Sequence, residues 1–233
     1  MSELVLEAKG LCKTYGGFLA LDGVNIEIPK GRIVGLLGPN GSGKTTFIKI
    51  VAGLLTATSG TVLIDGMEPG EKTKAIVSYL PERTYFNSYM KVHECLTLFS
   101  DFYEDFDRAV AEKMLSDLSI SLDARLRTLS KGTKEKLQLI LVMSRRAKLF
   151  VLDEPIAGVD PAARDYIIKT VIENYNREAS IIISTHLIYD IEPVLDDFFF
   201  IRGGRVMLAG DVKAIKAKHG TLDGYFREVF RCY

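Results

Sequence analysis

The chain has 233 residues, enough for one sizeable domain or for one domain with a subdomain. Hydrophobic residues make up 47% and charged residues 26% of it, the balance of an ordinary globular protein. Because the formal net charge is zero and a nucleic-acid-binding protein usually carries a basic excess, we expect no nucleic-acid partner.

Neither a membrane span nor a signal peptide is predicted. The longest apolar runs, such as LILVM and FFFI, fall far short of the roughly 18 residues of a transmembrane helix. The first ten residues lack the basic and then apolar pattern of a signal peptide. Three scattered cysteines give neither a disulfide framework nor a metal-site spacing, which favours a reducing compartment. A role at a membrane would need another protein to cross it.

Strands are predicted first along the chain. Apolar and polar residues alternate in LVLEA and VNIEI, as in the strands of a half-exposed sheet. A buried strand is predicted for RIVGLLG, a short apolar run that ends in glycine, and helical spacing follows in IKIVAGLL. Strand character returns in TVLID and AIVSYL.

The loop between the buried strand and that helix has the spacing G-x-x-x-x-G-K-T, from Gly38 to Thr45. Glycines let the backbone curl until successive N–H groups face one anion, and the helix beginning near Lys44 adds the positive end of its dipole. Lys44 can reach the outer phosphates of a nucleotide, and the Thr45 hydroxyl can bind Mg²⁺. A chance glycine turn is the alternative, and the strand before the loop and the helix after it argue against it.

From about Val92 the periodicity becomes helical. Apolar residues recur at i, i+3, i+4 and i+7 from Val92 to Phe99. Asp107 is a candidate cap for a second helix, and a third helix is predicted after Gly132. The apolar faces of these helices are expected to pack. The order is thus a mixed sheet, a helical insertion near 84–146, and α/β structure again, which favours a parallel core sheet.

Two further apolar strands end in polar residues. The first, in KLFVLDEP, ends in Asp153 and Glu154, and ligands of open α/β sheets bind at the carboxyl ends of strands. Asp153 suits the shell of a Mg²⁺ ion, and Glu154 suits a general base for an attacking water. The second, in IIISTH, ends in His186, which could contact the γ-phosphate or that water. Two exposed acids and a structural histidine are the alternatives, and the phosphate loop upstream argues against them.

Together these stretches resemble the ATP-binding cassette (ABC) family over nearly the whole chain, in particular the nucleotide-binding domain of a prokaryotic exporter-type transporter. The Walker A loop corresponds to GPNGSGKTT, Walker B to VLDEP, the D-loop to GVDP with Asp160, and the H-loop to STH. The family stacks an aromatic residue on adenine where KTYGGFLALDGV places Tyr15, and it carries its LSGGQ signature where this chain has LSKGTKEKLQL.

The resemblance implies that ATP and Mg²⁺ bind. It implies a set of ATP-binding residues, namely Tyr15, Gly38, Pro39, Asn40, Gly41, Ser42, Gly43, Lys44, Thr45, Thr46, Ser130, Gly132 and Asp160. The residues that it implies for hydrolysis are Lys44, Glu154 and His186. Those that it implies near the metal are Thr45, Glu82 and Asp153.

The chain departs from the family pattern at two motifs. In the signature, Lys131 replaces the first glycine of the usual pair and Thr133 replaces glutamine. Ser130 and Gly132 are kept, and before a helix they still offer a hydroxyl and backbone N–H groups to an anion. In the Q-loop, YLPE has Glu82 where many relatives have glutamine. A carboxylate can contact Mg²⁺ or its water as the amide carbonyl does, so we predict that Glu82 keeps this role.

The implied fold is an α/β P-loop NTPase of the ABC ATPase type. It has a mostly parallel core sheet, an antiparallel β-subdomain and an inserted α-helical subdomain. We expect a single ABC ATPase domain over residues 1–233. The RecA-like core with its β-subdomain takes 1–83 and 147–233, and the helical subdomain with the signature takes 84–146.

The resemblance also implies partners. In this family the ATP on one cassette is closed in by the signature of another, so we expect a second cassette, in a homodimer or a heterodimer. A transmembrane permease subunit would hold the chain at the cytoplasmic face of the membrane. The stretch YLPERTYFNSYM lies where such a subunit inserts a short helix, and its candidate groove residues are Tyr85, Phe86, Tyr89 and Met90. Packing of these side chains under the helical insertion is the alternative.

Two other functions remain as alternatives. A non-transport ABC ATPase could act as a switch on a ribosome or a DNA complex. Such proteins usually carry two cassettes, long coiled coils or basic extensions, and this sequence shows none of these features. A P-loop kinase or GTPase would leave the signature, D-loop and H-loop unexplained, and the sequence has no N-K-x-D guanine motif.

Overall fold

A computed structural model describes residues 3–156, 164, 167–169, 171–172 and 178–231. Its strands are β1 Leu4–Tyr15, β2 Phe18–Pro29, β3 Ile33–Leu37, β4 Ser59–Ile64, β5 Val77–Leu80, β6 Leu149–Asp153, β7 Ser180–Thr185, β8 Asp197–Arg202 and β9 Arg205–Asp211. Its helices include α1 Lys44–Val51, α2 Glu71–Ile76, α3 Val92–Phe102, α4 Arg108–Asp117, α5 Lys131–Met143, α6 Ile188–Ile191, α7 Val212–His219 and α8 Leu222–Arg231. Two short 3-10 helices are Leu126–Thr128 and Glu192–Val194.

Two sheets form the frame of the molecule. The larger has the order β5-β6-β7-β3-β8-β9, and it is parallel except for the antiparallel pair of β8 and β9. The smaller is antiparallel, with the order β2-β1-β4. Every residue of β3, β6 and β7 is buried, as expected of central parallel strands that are covered on both faces. The predicted α/β fold, with a mostly parallel core sheet and an antiparallel sheet beside it, is confirmed.

The helical insertion has an apolar core of its own. Buried residues of α3, α4 and α5 make one cluster, including Leu96, Met114 and Ile140, so the predicted packing of the three helical faces is confirmed. The far end of α5 packs into the sheet core instead, through Leu139 and Val142. Helix α5 is therefore shared between the insertion and the sheet. The exact division of the chain at 84–146 stays a prediction.

A buried arginine joins the insertion to the core sheet. Arg145 follows α5, and its guanidinium donates to the backbone oxygens of Val77 and Ala75, each at 2.7 Å. It also donates to both carboxylate oxygens of Asp105, at 2.9 and 3.1 Å. The face of the guanidinium lies 3.7 Å from the ring centre of Tyr103. One side chain thus connects the start of β5 with the turn between α3 and α4.

The structure differs from the predicted elements at several boundaries. Ala75 and Ile76 belong to α2, so only VSYL of AIVSYL is a strand. Helix α1 ends at Val51, before the LL of IKIVAGLL. Helix α5 begins at Lys131 rather than after Gly132, because the Ser130 hydroxyl caps it by accepting from the Thr133 N–H.

The C-terminal helices α7 and α8 were not predicted. Helix α8 packs its aromatic face on the sheet core, where Phe226 and Phe230 lie 5.2 and 5.8 Å from the ring of Phe200. No helix among the described residues is long and apolar enough to cross a membrane.

Candidate functional site

The phosphate loop connects β3 to α1, and close packing explains its glycines. A side chain at Gly38 would overlap the carbonyl oxygen of Ile201. Gly43, at the start of α1, has φ of +108°, and a Cβ there would lie 2.7 Å from the carbonyl oxygen of Ala20. Both positions therefore require glycine, because a side chain there would collide with these backbone carbonyl groups.

The side chain of the loop lysine folds back onto the loop. Lys44 is 5% exposed, and its ammonium donates to the carbonyl oxygens of Gly38 at 2.7 Å and Pro39 at 3.2 Å. It lies 3.5 Å from a carboxylate oxygen of Glu154. Burial lowers the pKa of Lys44, and the carboxylate of Glu154 opposes that shift. The ammonium of Lys44 therefore lies between the phosphate loop and the acidic residues at the end of β6.

A buried carboxylate lies beside the loop hydroxyl. Asp153 is 1% exposed, and its Oδ1 accepts from the hydroxyls of Ser184 at 2.6 Å and Thr45 at 3.3 Å. Its Oδ2 is buried and has no hydrogen-bond partner among the described residues. Burial raises the pKa of Asp153, and the two hydroxyl groups oppose that shift. A buried, unpartnered carboxylate oxygen is a position where a ligand is expected.

The oxygen atoms of Thr45 and Asp153 suit a magnesium ion that is also bound by water and phosphate. They do not suit a metal ion bound by protein side chains alone. Thr45 and Asp153 supply the hard oxygen ligands that Mg²⁺ prefers. Within the described residues, no group of three or more His, Cys, Asp or Glu side chains could hold a metal. Mg²⁺ commonly binds through only one or two protein oxygens, with waters and substrate phosphates completing its shell. Glu82, the third predicted residue near the metal, is exposed in the segment that follows β5.

The second acid of β6 is paired with the predicted histidine. Glu154 has φ of +50°, a left-handed conformation that is uncommon for a residue other than glycine. Its side chain is 9% exposed, and its two carboxylate oxygens lie 3.2 and 3.1 Å from Nδ1 of His186. Backbone strain of this kind clusters at functional sites. The strand ends thus bring together the phosphate loop, a free carboxylate oxygen and a Glu–His pair.

A cavity of about 450 Å³ opens over this constellation. It is lined by the loop residues 40–46, by Glu82 and Glu154, and by two aromatic side chains, Tyr15 and Phe18. Tyr15 and Phe18 are directly opposite each other at the end of the β1–β2 hairpin, and they are 44% and 65% exposed. Phe18 was not predicted as a site residue. The sequence did contain a signal for it, because Phe18 directly follows the Gly-Gly turn after Tyr15, the residue predicted to stack on adenine.

The two predicted residues of the signature do not line this cavity. Ser130 and Gly132 lie at the start of α5, where the serine caps the helix and a Cβ on the glycine would meet nothing within 4 Å. Lys131 there pairs loosely with Glu135 at 3.8 Å. Asp160 lies outside the described residues.

A second cavity, of about 540 Å³, lies between the core and the helical insertion. Its lining is mostly apolar and includes Tyr85 and Phe102, which are 52% and 75% exposed. We call it the insertion groove. Of the four predicted groove residues only Tyr85 lines it. Phe86 and Met90 pack against the helical core, so the prediction is wrong for these two and the alternative holds.

The fourth predicted groove residue, Tyr89, also lies outside the groove lining. It is 64% exposed, and its ring lies 5.5 Å from the guanidinium of Arg127. Two exposed lysines, Lys49 and Lys74, line the insertion groove beside its apolar side chains. The groove is therefore apolar with positive charge on its wall.

A family profile described as "ABC transporter" matches residues 21–157, more than half of the chain.

Individual proteins are similar over nearly the whole length. The chain is 31% identical over 218 residues to the ABC transporter ATP-binding protein YtrB of Bacillus subtilis (strain 168), covering 92% of this chain and 75% of that protein. It is 28% identical over 207 residues to the lantibiotic transport ATP-binding protein SrtF of Streptococcus pyogenes, covering 88% and 90%. A solved structure described as the ATP binding subunit of an ABC transporter superposes with a TM-score of 0.85 at 28% identity, covering 97% of this chain and 99% of that one.

Proposed function

The chain belongs to the ABC transporter family, and from that premise we propose that it binds ATP with Mg²⁺ and hydrolyses it to drive a separate transmembrane permease. The family's ATP-binding domains are ATPases coupled to transport. One observation carries the assignment to this chain's residues: the phosphate loop, the free Asp153 oxygen and the Glu154–His186 pair meet at the carboxyl ends of β3, β6 and β7.

The residues have separate roles in the proposed hydrolysis. The backbone N–H groups of the loop and the ammonium of Lys44 bind the phosphates. Thr45 and Asp153 would hold Mg²⁺, with Glu82 near its water; when bound, the ion neutralises charge on the outer phosphate oxygens. Glu154 accepts a proton from the water that attacks the γ-phosphorus, while ADP departs.

His186 and the two aromatic residues complete the proposed site. Because His186 contacts both oxygens of Glu154, its proposed role is to orient the base and to contact the γ-phosphate. Tyr15 and Phe18 flank the cavity, where their faces can stack on a purine.

We propose that the site is completed by a second cassette. Ser130 and Gly132 lie away from the cavity of their own chain, at the capped start of the 13-residue helix α5. Placed against a second copy or a related cassette, this end would offer N–H groups and a hydroxyl to that partner's ATP. ATP would then stabilise the closed dimer, because it binds that state better than the open one.

The insertion groove is the proposed docking site of the permease at the cytoplasmic face. A short amphipathic helix suits a groove lined by Tyr85, Phe102 and other apolar side chains. No ion pair of Lys49 or Lys74 is observed in the described parts of the chain, so an acidic residue on that helix would complement them. The lantibiotic transport relative supports an exporter role. No observation favours a ribosome or DNA partner, and the net charge is zero.

The test is to tag the Glu154→Gln variant in its native cell and purify it with ATP and Mg²⁺ in mild detergent. A polytopic membrane protein should co-purify. Adding Phe102→Asp, in the groove, should remove that protein, while Met207→Asp, a 43% exposed apolar residue on β9, should leave it bound. Recovery of ribosomes or DNA-repair proteins without a membrane protein would overturn the transport function.

A further inference from the structure

One buried hydroxyl contacts both acidic residues of the site. Ser184 is fully buried in β7, and the parallel register with β6 sets it beside Asp153. Its Oγ donates to Oδ1 of Asp153 at 2.6 Å and accepts from the backbone N–H of Glu154 at 3.1 Å. The side chain of Asp153 and the backbone of Glu154 are thus connected through a single oxygen atom.

The hydroxyl decides which oxygen of Asp153 is free. A serine has one hydroxyl proton, and here it is committed to Oδ1. Oδ1 also accepts from Thr45, so two hydrogen bonds fix the carboxylate about its terminal torsion. The buried Oδ2 is the oxygen left without a partner among the described residues. The arrangement presents Oδ2, in one orientation, to a cation or to its water.

The same residue supports the conformation of Glu154. The left-handed backbone of Glu154 is unfavourable for a residue with a side chain and persists only where its surroundings impose it. The Glu154 N–H donates to both the carbonyl oxygen of Ser184, at 3.0 Å, and its hydroxyl. From this conformation the carboxylate of Glu154 reaches His186 and Lys44.

We propose that Ser184 is a positioning residue for the ATPase site: it orients Asp153 for the metal and holds Glu154 in place through one hydroxyl. The inference rests on the proposed ATPase function. Residues that orient metal ligands typically contribute 10–100-fold to metal affinity or activity. Removing this hydroxyl should therefore act on the Mg²⁺-dependent part of nucleotide binding, since the phosphate loop itself keeps all its contacts.

The experiment is a Mg²⁺ titration of nucleotide binding to the full chain, read by a fluorescent ATP analogue, starting in EDTA. Ser184→Ala should bind the analogue in EDTA as the parent does. It should need about 10-fold or more Mg²⁺ for the half-maximal gain in affinity. Ser184→Thr keeps the hydroxyl that orients Asp153. Its half-maximal Mg²⁺ concentration should therefore lie within about threefold of the parent's.

Ser180→Ala is the matched control. Ser180 lies in the same strand and is equally buried, and its hydroxyl also accepts one N–H, from Gly31, and donates once, to Pro29. It does not contact the two acids, so its Mg²⁺ titration should follow the parent's. Thermal unfolding without Mg²⁺ verifies that each variant is folded. If Ser184→Ala does not fold, Ser184→Cys keeps the volume with a weaker donor and should give an intermediate shift.

The outcomes separate this inference from the function on which it rests. A parent chain whose nucleotide binding ignores Mg²⁺ would overturn the proposed function and this inference with it. A parent that responds to Mg²⁺ while Ser184→Ala and Ser180→Ala titrate alike would overturn only the role of Ser184. Equal loss of binding in EDTA and in Mg²⁺ would also contradict that role, because it would indicate a general structural effect.

Discussion

Replacing Arg145 by alanine should cost much of the stability of the fold. Its guanidinium is 2% exposed and makes four hydrogen bonds, two of them to the carbonyl oxygens of Val77 and Ala75. A buried polar group left without a partner costs about 1–3 kcal/mol. The Asp105 carboxylate is 24% exposed, so water offsets part of the loss there.

The two carbonyl oxygens together account for about 2–6 kcal/mol. Removing one partner of a buried pair typically costs about 3–5 kcal/mol, so we expect a loss in that range. Since whole domains are stable by only about 5–15 kcal/mol, the change should be plain in urea unfolding followed by circular dichroism. Arg145→Lys should also be destabilised, because an ammonium cannot form the guanidinium's fork of hydrogen bonds.

The neighbouring Arg146 is the matched control. It is 78% exposed and forms one ion pair, at 2.8 Å with Asp107. Arg146→Ala should cost less than about 1 kcal/mol, as exposed pairs do. Equal unfolding midpoints for Arg145→Ala and Arg146→Ala would refute the reasoning that burial and the backbone contacts make the first arginine important.

Two further predictions concern charge and the aromatic pair. Hydrogen bonds from Lys148 and then from Lys30 lower the pKa of Asp65 below 3.8, so its stabilisation is complete above that value and is lost as pH falls through the lowered pKa. Asp65→Asn should therefore reduce the free energy of unfolding at pH 7 by about 1 kcal/mol, a small value because the lysines are partly exposed. Urea unfolding should show that this difference vanishes in strong acid, and a difference that persists there would contradict the pairing. Tyr15→Ala and Phe18→Ala should each weaken ATP binding by about 5-fold or more, as loss of one stacking contact worth about 1–3 kcal/mol implies, while Phe18→Tyr should bind as the parent does in the same fluorescence titration. An unchanged Kd in Phe18→Ala would remove it from the proposed site.

The sequence predicted the parts of the site that are local in the chain. The spacing from Gly38 to Thr45 depends on one loop between a strand and a helix, and the structure has that loop where the motif predicted it. Asp153 and His186 were found because each ends an apolar run, and the carboxyl ends of parallel strands share an edge. Their functional roles stay proposals.

Contacts that depend on pairing between distant segments could not be predicted in this way. The Ser184–Asp153 hydrogen bond requires the register of β6 and β7, which no local pattern specifies. Phe86 and Met90 were assigned to a groove because their composition suits one, yet their burial is decided by how α3 packs. Helix α8 was missed although its apolar residues, Phe226 and Phe230 among them, repeat at helical spacing.

Phosphate release by the Glu154→Gln variant tests the central claim most directly. The chain, purified with any permease that accompanies it, should bind ATP with parental affinity and release phosphate at least about 100-fold more slowly, as loss of a general base implies. Phosphate release within a few-fold of the parent rate would contradict the account, because the glutamate between Lys44 and His186 would then not be the base.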